Sequence, residues 1–142
     1  MADIEIRRST LSKAREMDAF AATSRNAVNA KIGAVRARYI TSLPGQEMIY
    51  SSKEREAKTY LALDPRPTDL TDFPFLEAEI GITAATAADL AALWVQMAAE
   101  WRSIGPQLEQ LRLGSLASIA AATSPAEVTQ ALADLDAILE GL

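Results

Sequence analysis

The side chains that could do chemistry in this sequence are carboxylates, serines and lysines, because it holds neither histidine nor cysteine. That removes thiol nucleophiles, disulfides, zinc-type ligand sets and imidazole acid–base work together. Two carboxylate pairs stand close in sequence, Glu77 with Glu79 and Asp134 with Asp136. A spacing of two puts the members of each pair on different helix faces, so neither forms an acid–base couple or a cation cage. Ser51, Ser52 and Lys53 are the one place for a serine–lysine arrangement. Ser42 and Ser124 have no base to activate them, and Ser124 reads as a helix cap. Glu54 and Glu56 read as solvated surface. The run Ser42-Leu43-Pro44-Gly45-Gln46-Glu47 fits neither the phosphate-loop pattern nor the dinucleotide fingerprint. No catalytic, cofactor-binding or metal-ligating residue is assigned, and the chain is not expected to be an enzyme.

The elements around these residues are helical. Alanine is abundant, and aromatic residues make up only 6% of the 142 residues, which favours helix over sheet. The length suggests one domain. Apolar residues recur at steps of four and three through Leu90, Trp94, Met97, Trp101, Ile104, Leu108 and Leu111. This heptad stripe holds both tryptophans and would present one apolar seam to a partner helix. Core packing is the ordinary use of Trp94 and Trp101, and anchoring an interface is the other. The net charge of −5 is uneven. Residues 1–60 hold 11 Lys/Arg against 7 Asp/Glu, and residues 61–142 hold 3 against 12. Solvated helix faces are the ordinary reading, and a basic half lying against the acidic half or an acidic neighbour is the other. Arg25, Lys31, Arg36 and Arg38 are spread around their helix rather than lined up, so nucleic acid is not an expected partner. No run of apolar residues is long enough for a membrane span, and the N-terminus has no signal-peptide core, so neither a membrane nor export is expected.

In chain order, Asp3-Ile4-Glu5-Ile6-Arg7 alternates with period two, which predicts an extended N-terminal arm over residues 1–10 that orders against a neighbour. A long helix over 11–41 follows. Its second half has a clear stripe in Val28, Ile32, Val35 and Tyr39. Its first half is thinner, with Leu11, Ala14, Met17, Phe20, Ala21 and Ser24, and is expected to need a second chain or to fray. Pro44 suits the first turn of a helix over 46–63, entered through Ser42 or Leu43. The stretch 64–74 is a proline-rich loop pinned by Leu70, Phe73 and Phe75. Asp72 can cap a short helix over 74–80 that Gly81 ends. Thr86 and Asp89 open a helix over 86–121, with a kink rather than a reversal expected at Pro106. After Leu111 the stripe slips to Leu113, Leu116 and Ile119. Ser124-Pro125-Ala126-Glu127 is the strongest cap in the chain and starts a helix over 125–140. The fold expected is all-α: an elongated antiparallel helical bundle domain over 11–142, with no internal repeat. Candidate interface residues are Ile4, Ile6, Leu11, Met17, Phe20, Val28, Trp94 and Trp101.

A family pattern runs through the same residues. Pro44-Gly45-Gln46 at a chain break is followed by an aromatic and charged helix with Tyr50 and Tyr60. Then come Phe73, Pro74, Leu76, Ala78 and Glu79, and a helix with Trp101 running into Leu111, Arg112 and Ile119. In this order they resemble a helical segment of proteins encoded among bacteriophage tail-fibre and baseplate genes. The resemblance covers Val35 to Ile138, while residues 1–34 carry no part of it. It implies a virion structural or tail-fibre-associated protein, made in the host cytoplasm and located in the tail. With the long helices and the thin stripe, contacts with other tail proteins and with copies of itself through coiled-coil-like seams are expected. An assembly chaperone absent from the mature virion is the alternative. The resemblance brings no cofactor and no catalytic residue.

Overall fold

The computed structural model describes residues 2–41 and 43–142; the side chains of residues 2–6 and 8 lie outside the description. Five helices follow one another: α1 (Ala2–Arg36), α2 (Gln46–Ala62), α3 (Pro74–Glu79), α4 (Ala87–Ala121) and α5 (Pro125–Leu139). The chain is an all-α helical bundle. Among the described residues its β-structure is one isolated bridge between Ile80 and Ala84. Where the sequence suggests one bundle domain, the packing forms two compact units: α1 with Pro106–Leu142, and Ala37–Gly105. The boundary falls inside α4, which continues as one helix through Pro106.

The expected extended arm is not extended, because α1 already begins at Ala2. An alternation of five residues is too short to decide between the two states. With no strand to pair with among the described residues, helix satisfies the backbone N–H and C=O groups internally. The other end is also corrected. α1 stops at Arg36 rather than at residue 41, with a cation in the last turn, where the helix dipole favours one. Tyr39 therefore leaves the stripe that includes Val28, Ile32 and Val35.

The first unit is built from aliphatic side chains. Val28, Ile32 and Val35 of α1 are buried, as are Leu108 and Ile119 of α4 and Val128, Ala131, Leu135 and Leu139 of α5. Their steps of three and four place each set on one face, and α1 packs against α5. Each buried Val, Leu or Ile contributes about 1.5–3 kcal/mol. On α4 the stripe does not slip to Leu113, which is 53% exposed. It continues through half-buried Leu111 and Ser115 to Ile119. Lys31 pairs with Asp136 at 2.5 Å, Arg36 with Glu109 at 2.7 Å and Arg112 with Glu109 at 2.5 Å. Such partly exposed pairs contribute about 0–1 kcal/mol each, so they fix register more than stability. Ser124 caps α5 by accepting from the Glu127 N–H at 3.3 Å, and the Glu127 carboxylate accepts from the Thr123 N–H at 2.6 Å. That backbone bond holds Glu127 below the usual carboxylate range.

The second unit closes on a cluster of Ala57, Tyr60, Phe73, Leu76, Ala87, Leu90, Ala91 and Trp94. Tyr60 and Phe73 meet edge to face, with ring centroids 5.4 Å apart. Pro44 is not the first residue of α2. Leu43-Pro44-Gly45-Gln46 forms a type II turn closed by the Gln46 N–H on the Leu43 carbonyl at 3.1 Å. Gly45 stands at φ 81, which glycine takes at least cost. The expected entry residue Ser42 lies outside the described residues. Asp72 does not cap α3 either. The Phe75 and Leu76 N–H groups donate to the Glu56 carboxylate of α2, at 3.2 and 2.7 Å. Glu56 is thus a cap delivered from another helix, not free surface.

Candidate functional site

Two faces of the second unit enclose a cleft of about 620 Å³. α2 contributes Glu47, Tyr50, Ser51 and Glu54, at positions i, i+3, i+4 and i+7 of one helical face. α4 contributes Trp94, Met97, Ala98 and Trp101 by the same rule, with Arg102 beside them. Tyr39, Ile40 and Thr41 complete the lining from the segment after α1, together with Glu79 and Thr83 near the end of α3. The early end of α1 matters here, because it releases Tyr39 to this wall. The size is that of a small-molecule site.

Local bonds hold the walls in place. The Thr41 N–H donates to the Tyr50 hydroxyl at 3.0 Å. Burial pushes the Tyr50 phenol up, but the bonds with Thr41 and Gln46 and the charge of Lys53 outweigh it, leaving a net lowering. Lys53 sits on the Trp94 ring, with its ammonium 5.1 Å from the ring centroid, and pairs with Glu79. The Lys53 side chain is only 14% exposed. Glu54 takes both Lys58, at 2.6 Å, and Arg102. Those two cations, Lys58 first, hold its carboxyl below the ordinary value. The Trp101 indole lies against the helix at Gly105, where a Cβ would stand 3.4 Å from Trp101 Cε2.

The candidate residues from the sequence do not gather in one place. Trp94 is buried in the unit core and also borders the cleft, whereas Trp101 is half-buried and lines it. Val28 is fully buried inside the first unit. Leu11 is 61% exposed, Phe20 is exposed and Met17 is half-buried. Ile4 and Ile6 lie outside the described side chains. The carboxylate pairs diverge: Asp134 bonds Gln130 and Asp136 bonds Lys31, while Glu77 is exposed and Glu79 takes Lys53. Ser51 lines the cleft, and the ammonium of Lys53 is engaged by Glu79. Sequence reasoning missed Tyr39, Glu47, Tyr50 and Met97 as parts of one site. The signal was present in the i, i+3, i+4, i+7 run from Glu47 to Glu54, but only the tertiary arrangement sets it opposite Trp101. Among the described residues no acidic cluster has metal-binding geometry and no helix is long and apolar enough to cross a membrane. No family model, curated protein or solved structure matches the chain.

Proposed function

We propose that this chain is a structural part of a phage tail, a helical module that joins a second copy of itself through the first half of α1. The observation that carries the attachment is a seam that is buried at one end and uncovered at the other. Ser24, Val28, Ile32 and Val35 are buried. The same 3–4 repeat continues backwards through Ala21, Met17 and Ala14, yet from Ser9 to Thr23 every side chain is exposed or half-buried. An isolated helix of that length is marginal in water, and packing normally supplies its stability. A second rod on this seam would bury Met17 and Phe20. The small residues Ala14 and Ala21 would let it approach closely. The tail location rests on the residue pattern from Val35 to Ile138.

Light scattering of the purified chain across a concentration series tests the attachment. We expect a dimer or larger assembly, and a monomer on Met17→Glu or Phe20→Glu with helical content elsewhere kept. A wild-type chain that stays monomeric at every concentration overturns self-association. Mass spectrometry of purified particles tests the location. Presence in the tail is expected, and detection in the infected lysate alone would replace the structural role with that of an assembly chaperone.

A further inference from the structure

We infer that the cleft between α2 and α4 binds a small, freely dissolved organic cation with a methylated ammonium head, held on aromatic rings with Glu47 as its counter-charge. The inference is independent of the tail proposal, because it uses the second unit alone. Four of the chain's eight aromatic side chains, Tyr39, Tyr50, Trp94 and Trp101, line this one cleft. Aromatic faces carry negative quadrupole density and attract cations. One of these rings already does so, since the Lys53 ammonium rests on Trp94. The other three have no such occupant among the described residues.

The charges select the same ligand. The cleft carries three carboxylates, Glu47, Glu54 and Glu79, against two cations, Lys53 and Arg102. Lys53 pairs with Glu79, and Glu54 is shared by Arg102 and by Lys58 from outside the lining. Glu47 is the one lining carboxylate with no ion pair among the described residues. An anion would meet that carboxylate and find both cations occupied. A bare ammonium would have to shed strongly held water against Ile40 and Met97. A methylated head carries its charge under apolar carbon, so burial and ring attraction act together. A dissolved ligand fits better than a lipid headgroup, because the unpaired Glu47 would oppose an anionic membrane surface.

Tryptophan fluorescence and calorimetric titration of the full chain test this, because both tryptophans line the cleft. The probes are choline and its uncharged isostere 3,3-dimethylbutan-1-ol. Saturable choline binding is expected, with the neutral isostere at least about tenfold weaker, in line with a desolvated cation–π contact. Glu47→Gln should weaken choline about three- to tenfold through loss of the partly screened charge. Trp101→Ala should weaken it about tenfold or more. Glu47 is exposed, so its variant keeps the fold and the test valid if Trp101→Ala unfolds. Equal binding of the neutral isostere, choline binding unmoved by Glu47→Gln, or no saturation at millimolar choline would each overturn the inference. Vesicles of phosphatidylcholine should not pull the chain down. Co-sedimentation lost in Trp101→Ala would overturn the dissolved-ligand form.

Discussion

The two units use different side chains to solve the same packing problem. Of eight aromatic residues, seven lie in 37–105, and only the exposed Phe20 belongs to the other unit. The first unit fills its interior with Val, Ile, Leu and Ala beside the one buried polar side chain among the described residues, Ser24, and flanks it with ion pairs. Aliphatic side chains interdigitate between rods and leave little space. The second unit carries large rings with polar tips, some of which stay at the wall of a cleft. One continuous helix, α4, serves both. Its stripe is closed glue at Leu108 and Ile119 but an open wall at Met97 and Trp101, where Met97 is 40% exposed. A uniform heptad pattern thus does not have a uniform use.

The largest expected effect breaks one unit and leaves the other readable. Leu135 is 1% exposed in the first unit. Leu135→Ala should cost about 2–5 kcal/mol through lost burial and the cavity left behind. Both tryptophans report on the second unit, whereas far-ultraviolet circular dichroism reports on all helices. The dichroism midpoint of Leu135→Ala should therefore fall before the fluorescence midpoint in a urea titration. Coincident transitions would show that the two units melt as one. The mirror variant, Leu90→Ala, should move the fluorescence midpoint at least as far as the dichroism midpoint.

A smaller effect sharpens the view of the second unit. Glu56 carries the N-terminus of α3, which has no side-chain cap of its own. Glu56→Ala should cost about 1–2 kcal/mol, the loss of a charge-assisted cap with two backbone donors left open. Asp72→Ala should cost much less by the same urea titration. Equal losses would return the capping role to Asp72.

Acid reads the first unit. Arg112, opposed by desolvation and helped by Arg36, holds Glu109 at about 2 against an ordinary 4.5. A lowered carboxylate pKa contributes stability that is fully present above about 4.5 and fades as pH falls through about 2. The melting temperatures of the wild type and Glu109→Gln should differ by a constant amount above that window and converge on acidification. A difference that grows below pH 4.5 would show that the pair does not act this way.

These contrasts mark what the sequence could and could not disclose. Local chemistry was legible. The Ser124–Glu127 cap sits where residue types place it, as do the Thr86–Asp89 pair, whose Asp89 N–H donates to Thr86 Oγ1 at 3.1 Å, and Gly81 at φ 81 after α3. Helix class followed from the period of the apolar residues. What hid was set by distant partners. Glu56 looked like surface because its partners, the Phe75 and Leu76 amides, stand about twenty residues away. The arm looked extended because five alternating residues fit either state. The cleft was half visible: Trp94 and Trp101 on one face were plain, but only the end of α1 at Arg36 brings Tyr39 to that wall.

The smallest expected effect compares two glycines on the same helix. Gly105 and Gly114 both lie inside α4, one in each unit. Glycine in a helix interior is less stable than alanine by about 0.5–1 kcal/mol, so either substitution starts with that gain. A Cβ on Gly114 meets nothing within 4 Å, and the gain should appear in full. A Cβ on Gly105 would stand 3.4 Å from Cε2 and 3.5 Å from Cζ2 of Trp101. Those distances are at the short edge of ordinary contact, and Gly105 also precedes Pro106, which disfavours helical backbone for a residue with a Cβ and cuts into the gain. Gly105→Ala should therefore stabilise less than Gly114→Ala in urea, shift the tryptophan emission, and weaken choline binding. Equal gains with unchanged emission would mean that Trp101 is not seated on Gly105, and the open wall of the second unit would lose its fixed ring.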